Sequence, residues 1–398
     1  MLLALFQLMR PFIPTAAAWA VLLTYAAPGA DLPGLKPFLV SNDDNSARYP
    51  QSSVSFYAIG AGGRLSSPIS VESGGNGIAG GYFGFSRIVV VRTDRGACVY
   101  ASEAQDEKIA GIDAATHKQA GPFVGSTGDV RLATDGVGLA ASARYLYASF
   151  TGSGNIGTFR LQDGCALEFL GDLHAIGLKA GLLQGMAIHG NLLVAAYGDG
   201  SIESFDIASG KPASHGDAQF ATGAPSHLPD AVDMTRDGHF AIFGDASTTT
   251  TVEVSDISSG KLTRTMVYEL GTAWNSGSIR LSPDESVIYI SNSSGGRVTA
   301  EFFDKITGKV TNGCTSRTLK GFYSRFAYVG GVATQLATGR GGLLYVPEFG
   351  VKGRSYIGLL RFSATRTGCT LTESPDSPIA GTPSSALLSI AVYPPRPF

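Results

Sequence analysis

The residues best placed to do chemistry lie in the segment APSHLPDAV, which contains His227 and Asp230. A histidine and an aspartate this close along the chain could act as a base and activate a water molecule for hydrolysis. Gln184 matches Asp230 in the preceding copy of a sequence repeat, and Asn275 and Ser276 lie near the same position in the next copy. Such polar groups could bind a small polar ligand. We therefore predict a ligand-binding site of Gln184, His227, Asp230, Asn275 and Ser276, with Asp230 and His227 as candidate catalytic residues.

Other motifs that carry a chemical mechanism are absent or wrongly placed. The segment GSGNIG (152–157) matches the glycine pattern of dinucleotide-binding loops, but a strand-like segment, GTFRLQ, follows where a phosphate-binding helix would have to begin. The patterns GxSxG and HExxH do not occur. None of the six histidines is spaced for metal binding along one element. We therefore predict no metal site and no cofactor, and the sequence leaves open whether the protein is an enzyme.

The elements that would position these side chains form a repeat. Glycine-centred turns such as SGK recur with their central glycines at Gly164, Gly210, Gly260 and Gly308, which gives steps of 46, 50 and 48 residues. A fixed period in this range indicates a propeller or a solenoid. Counting related turns near both ends of the chain, the sequence contains seven such units.

Each unit contains an apolar strand that must be buried on both faces. In VIYISNS, Ile288 and Ile290 point to one side, and Val287 and Tyr289 point to the other. A strand that is apolar on both faces is covered on both faces, as happens between the stacked blades of a propeller. A shorter strand, such as SIRL, precedes most of these apolar strands, and we expect it to lie nearest the central axis.

The two ends of the chain supply complementary parts of one unit. The first apolar strand, PFLVSND (37–43), has no short strand before it, whereas SIAVYPP at the C-terminus is a short strand without a unit of its own. Pairing the two would close the ring and remove its open edges. We therefore predict an all-β fold over 36–396, a seven-bladed β-propeller of four-stranded antiparallel blades closed by the C-terminal strand.

The first 30 residues predict export from the cytoplasm. They contain one charged residue, Arg10, in an apolar stretch that ends in small residues, as in a secretory signal peptide. An uncleaved N-terminal anchor and a start of translation at Met9 remain alternatives. An exported protein permits disulfides, and its four cysteines allow three pairings, which the sequence leaves open: Cys98, Cys165, Cys314 and Cys369. We expect a secreted or periplasmic protein.

Charge excludes some classes of partner. The net charge is −2, and the sequence has no long cluster of Lys and Arg. Attraction to nucleic acid or to an anionic membrane is therefore not expected, beyond an N-terminal anchor. We expect a monomer that binds a small polar ligand or a protein. A long connection contains aromatic residues that could form a surface for a protein partner: Phe322, Tyr323, Phe326 and Tyr328.

The strands YLYASFT and VIYISNS, with the turns SGKL and TGKV, resemble the YVTN-type repeat of lactonase-like seven-bladed propellers, which include 6-phosphogluconolactonase-type proteins. The resemblance covers about residues 36–396 and implies the propeller fold. Our first hypothesis is an exported binding protein that engages a ligand or a protein partner over one face. The alternative that the resemblance implies is a lactonase-like hydrolase with its site at the mouth of the channel. A redox-cofactor propeller is the third, and the sequence offers no ligand residues for it.

Overall fold

The computed structural model describes residues 35–43, 52–77, 86–94, 96–106, 108–124, 137–221, 229–245, 251–270, 276–292, 295–321, 337–339, 341–349, 355–365, 368–381 and 389–395. The chain divides into two units, residues 1–30 and 31–398. The first unit, with the predicted export signal, lies outside the described residues. None of the helices in the described ranges is long and apolar enough to cross a membrane.

Thirty strands and two short 3₁₀ turns make up the described residues. The strands of blades one to three are β1 (Phe38–Asn42), β2 (Ser53–Ala58), β3 (Ile69–Glu72), β4 (Ile88–Thr93), β5 (Gly96–Glu103), β6 (Lys108–Asp113), β7 (Gln119–Val124), β8 (Val137–Ala141), β9 (Tyr145–Phe150), β10 (Asn155–Leu161) and β11 (Leu167–His174). The turns are Ala61–Gly63 and Asp163–Cys165.

The remaining strands form blades four to seven and complete blade one. They are β12 (Leu183–His189), β13 (Leu192–Tyr197), β14 (Ser201–Asp206), β15 (Ala213–Ser214), β16 (Gln219–Phe220), β17 (Pro229–Met234), β18 (Phe240–Asp245), β19 (Thr251–Asp256), β20 (Arg264–Glu269), β21 (Ser276–Leu281), β22 (Val287–Asn292), β23 (Arg297–Asp304), β24 (Lys309–Thr315), β25 (Ala337–Thr338), β26 (Leu343–Phe349), β27 (Ser355–Thr365), β28 (Gly368–Glu373), β29 (Ile379–Ala380) and β30 (Ser389–Tyr393).

The seven sheets are antiparallel and mostly four-stranded, as the sequence predicts. Blades four and seven differ because their outermost strand is in two pieces: β15 and β16 both pair with β14, and β28 and β29 both pair with β27. The segment GSGNIG begins in the turn between β9 and β10 and continues into β10, so the strand expected after this motif, in place of a phosphate-binding helix, is confirmed.

Blade one closes the ring. The C-terminal strand β30 pairs with β1, so the order in this sheet is β3-β2-β1-β30. Val40 lies opposite Ala391, and the rings of Phe38 and Tyr393 stack with their centroids 5.0 Å apart. The innermost strands then contact one another in the cyclic order β30, β4, β8, β12, β17, β21, β25 and back to β30. The predicted closure by the C-terminal strand is therefore confirmed.

Seven apolar clusters hold the blades together, one at each junction. Strand β22 shows how one strand serves two of them. Its Ile288 and Ile290 pack in the cluster shared with blade five, whereas Val287 and Tyr289 pack in the cluster shared with blade seven. The second strand of a blade is therefore buried on both faces because a neighbouring blade covers each face.

Two of the four periodic glycines, Gly210 and Gly308, mark further contacts between blades, whereas a Cβ on Gly164 or Gly260 would meet nothing within 4 Å. Gly210 has φ 88°, and a Cβ there would lie 2.5 Å from the ring of Tyr145 in the preceding blade. Its carbonyl accepts a hydrogen bond of 3.0 Å from the hydroxyl of Tyr147. Gly308 is similar: its φ is 72°, and a Cβ at this position would collide with Phe240 and Met266 of blade five. These positions require glycine both for the left-handed backbone and for close packing.

Two disulfides join neighbouring blades. Cys98 of β5 bonds to Cys165 in a turn of blade three, and Cys314 of β24 bonds to Cys369 of β28. The bonded cysteines are 67 and 55 residues apart in sequence. Because each bond restricts the unfolded chain, each is expected to stabilise the fold by about 4 kcal/mol. Of the three pairings that the sequence allows, the structure therefore selects the one that joins blade two to three and blade six to seven.

The closing strand gives a direct test of the ring. Ile390 of β30 is fully buried between blades seven and one, whereas Ile306 lies in a turn and is 83% exposed. We expect Ile390→Ala to lower the free energy of unfolding by about 2–5 kcal/mol because it leaves a cavity at the closure. The control Ile306→Ala should change it by less than about 0.5 kcal/mol. Denaturant unfolding measures both, and equal effects would contradict the closure.

Candidate functional site

The innermost strands of blades four, five and six each begin with a bulge. Leu183 pairs with Tyr197, and the ladder of β12 resumes only at Met186. In β17 the break follows Pro229, and in β21 it follows Ser276. The ladders of β4, β8 and β30 have no such break. Bulges change the direction of side chains and are common beside active sites, so the channel entrance is built differently on this side.

Two of the five predicted site residues fall within these bulges. Gln184 and Asp230 both directly follow the first paired residue of their strands, and Ser276 is itself the first paired residue of β21. The structure describes the backbone but not the side chains of Asp230 and Ser276, and His227 and Asn275 lie outside the described residues. The binding and catalytic assignments therefore stay predictions.

Gln184 is the predicted site residue whose side chain is described. It is half-buried, and its carbonyl accepts a hydrogen bond of 3.4 Å from the hydroxyl of Ser149 in blade three. Its side-chain amide lies against Gly198, where a Cβ would come within 3.2 Å of Nε2. Gly198 thus leaves room for the Gln184 side chain at the start of the innermost strand of blade four.

Arg280 reaches across the central channel. It belongs to β21, the innermost strand of blade six, and its Nη2 donates a hydrogen bond of 2.6 Å to Ser86 Oγ. Ser86 immediately precedes Arg87 and β4, the innermost strand of blade two, and its carbonyl accepts a bond of 2.6 Å from the Leu139 amide. Blades two and six are not neighbours in either direction around the ring, so the guanidinium lies within the channel.

The sequence also contains a feature that points to Arg280, although the repeat pattern did not single it out. Of the short strands identified from sequence, MAI and AVDM have no basic residue and SIRL has one, although the innermost strand of blade two, β4, also contains Arg92. The strand that carries Arg280 is tied to blade five, because Asp233 Oδ2 accepts a hydrogen bond of 2.9 Å from the Leu281 amide. A basic side chain on an innermost strand, Arg92 or Arg280, was therefore visible in the sequence, but only the contact with Ser86 distinguishes Arg280.

The carboxyl groups with strongly raised pKa values lie away from the innermost strands. Burial, and then Asp245, raises the pKa of Glu253 to about 8, and burial raises that of Glu301 to about 7. Burial, and then Glu373, raises that of Glu348 to about 8. Glu253 and Glu301 are on third strands, and Glu348 is near the end of a second strand. These perturbed groups therefore lie on second and third strands and not on the strands that border the channel.

One described cluster combines serine, histidine and aspartate. Ser204 Oγ lies 2.9 Å from His215 Nδ1 and donates a hydrogen bond of 2.5 Å to Asp217 Oδ2. Ser204 is fully buried, so its oxygen cannot reach a substrate. Asp217 also accepts the Leu262 amide of blade five at 2.8 Å. We interpret this cluster as a structural link at the interrupted outer strand of blade four.

No group of three or more histidine, cysteine, aspartate or glutamate side chains in the described ranges could hold a metal ion. The predicted aromatic partner surface, Phe322, Tyr323, Phe326 and Tyr328, lies outside those ranges. Three aliphatic side chains are exposed on the connection between blades three and four: Ile176, Leu178 and Leu182. Asp199 holds this connection by accepting the Lys179 amide at 2.6 Å.

Comparison with known proteins places the fold. No family model and no curated protein matches the sequence. A candidate 6-phosphogluconolactonase from Bacteroides fragilis is similar in structure, with TM-score 0.63 and 16% identity over 91% of this chain and 99% of that one. The periplasmic gluconolactonase of Pseudomonas aeruginosa has TM-score 0.59 and 13% identity, over 89% and 99% of the two chains.

A hypothetical selenium-binding protein from Sulfolobus tokodaii has TM-score 0.66 and 12% identity, over 90% of this chain and 93% of that one. At such identities the similarities establish the fold and not the activity. The resemblance to lactonase-like propellers that the sequence predicts therefore holds at the level of the fold.

Proposed function

We propose that the protein binds a small anionic ligand in the central channel, with Arg280 as its principal cationic contact. The observation that carries this proposal is the Arg280 side chain held across the channel by Ser86. A guanidinium offers several donors in a planar fork that matches a carboxylate or a phosphate. Sugar acids and sugar phosphates have such groups, in keeping with the gluconolactonase names of two structurally similar proteins.

The bulges at the channel entrance support the same proposal. A sugar acid carries hydroxyl groups as well as a charge, and a bound ligand needs hydrogen-bond partners for both. The amide of Gln184, which is half-buried at one bulge, can donate to a hydroxyl and accept from one. The other predicted residues, His227, Asp230, Asn275 and Ser276, complete the proposed set. The proposal requires no cofactor.

Substitution of Arg280 tests the binding proposal. Arg280→Gln should weaken the binding of gluconate or 6-phosphogluconate by about tenfold to a hundredfold, because a hydrogen bond to a charged group contributes about 1.5–3 kcal/mol. Isothermal titration calorimetry measures the dissociation constants. Arg144→Gln is the matched control, since Arg144 is exposed in a turn of blade three. Unchanged affinity in a folded Arg280→Gln variant would reject the role of Arg280.

A lactonase-like hydrolase is the second candidate, supported by the fold similarity to two proteins with gluconolactonase names. We expect the mature protein to open gluconolactone or 6-phosphogluconolactone, with acid release followed at constant pH. Loss of a general base costs about 10²–10⁴ in rate, so Asp230→Ala should reduce turnover accordingly. Asp304→Ala, at the exposed end of β23, is the control. Turnover no faster than spontaneous hydrolysis would remove this candidate.

We also propose that the protein acts outside the cytoplasm. The two disulfides between blades support this, because such bonds persist mainly in oxidising compartments. Cleavage near the end of the apolar segment predicts a mature polypeptide without residues 1–30. The intact mass of protein recovered from the extracellular or periplasmic fraction measures this. Recovery of the full-length chain from membranes would instead support the anchor.

A further inference from the structure

Glu348 lies in a closely fitted pocket at the junction of blades six and seven. It is near the end of β26 and only 1% exposed. Its carboxyl oxygens fill the space beside Gly358 of β27 and Gly321, which follows blade six, so that a Cβ on either glycine would collide with them. Neither oxygen accepts a hydrogen bond of good geometry in the part of the chain that the structure describes, although the Gly321 amide lies close enough to favour the ionised form. The described residues therefore enclose this carboxyl group and stabilise its charge only weakly.

The end of blade six docks onto blade seven at this place. The Lys320 amide donates to Glu373 Oε2 at 3.0 Å, and Lys320 Nζ donates to the carbonyls of Ser374 and Ser377 at 3.0 and 3.1 Å. Gly321, the next residue, covers the carboxyl of Glu348. The same two blades are joined at their outer strands by the disulfide Cys314–Cys369. The contacts of Lys320 and Gly321 thus form a second fastening at this junction.

A charge on Glu348 would oppose this docking. Burial, and then the nearby Glu373, raises the pKa of Glu348 to about 8. The Gly321 amide and the Lys320 ammonium favour the ionised form, but their effects are smaller. Removing the proton would place a second negative charge beside Glu373 in a site with little access to water. Glu348 is therefore protonated at neutral pH while the junction is closed.

We propose that Glu348, Glu373 and Lys320 form a proton-sensitive latch between blades six and seven, which is closed while Glu348 carries its proton and loosens when Glu348 ionises. The latch consists of Lys320 and Gly321 seated on blade seven. The latch requires no ligand, so its test does not depend on the proposed ligand-binding function.

The difference in proton binding between the closed and the opened junction gives the pH range in which the latch weakens. In the closed junction Glu348 keeps its proton up to about pH 8, whereas an opened junction would release it near the ordinary pKa of 4.5. The closed form binds more protons between these values, so its stability relative to the opened form falls as pH rises. The loss ends near pH 8, above which both forms are ionised.

The two disulfides allow the junctions to be compared within one molecule. The protein is exposed briefly to a phosphine reductant at pH values from 5.5 to 9, and the freed cysteines are alkylated and quantified by mass spectrometry. We expect the rate for Cys314–Cys369, divided by that for Cys98–Cys165, to rise by up to about tenfold per pH unit below pH 8 and then to level off. In Glu348→Gln the ratio should stay constant.

Two variants separate Glu348 from neighbouring groups. Glu301 accepts a hydrogen bond of 2.7 Å from Gly313 beside Cys314, and its pKa is also raised, so Glu301→Gln is the control that should preserve the pH dependence. Glu373→Gln removes the opposing charge, and the ratio should then level off at lower pH, which tests the latch even if Glu348→Gln does not fold. A constant ratio in the native protein, or a rise abolished by Glu301→Gln and kept by Glu348→Gln, would overturn the proposal.

Discussion

Burial of both faces of the second strand in each blade is the constraint on which this fold depends. A single sheet cannot cover its own two apolar faces, so every blade needs a neighbour on each side. A row of blades would leave two faces exposed at its ends, and only a closed ring leaves none. The pairing of β30 with β1 meets this requirement. The chain must therefore be almost complete before its first blade becomes a four-stranded sheet.

The same constraint acts on some of the regular glycines and on the polar exceptions to the repeat. Glycine recurs in these turns because the backbone is left-handed there, and at Gly210 and Gly308 the preceding blade also occupies the space of a side chain. Where a junction encloses a carboxyl group instead, as at Glu348, burial raises its pKa because little solvent remains to stabilise the charge. Close packing between blades thus creates both the apolar clusters and the proton-binding sites of the ring.

The innermost strands line the channel, and the residues of the candidate site lie on them or beside them. Although residues such as Ile279 and Leu281 pack in the clusters between blades, other side chains on these strands differ among copies. Arg280 and the bulges at Gln184 and Asp230 are such differences. A ring of similar blades acquires a distinct entrance in this way without disturbing the junctions that hold it together.

The fold could be predicted from the sequence, because its period and its strands such as VIYISNS are local consequences of blade stacking. The repeat also aligned Gln184 with Asp230, and both residues lie in the bulges of β12 and β17. The disulfide pairing and the contact between Arg280 and Ser86, which are 194 positions apart, could be seen only in three dimensions. Such contacts form between residues of different blades that the closed ring brings together. The spacing of residues along the chain does not show which of them will be in contact.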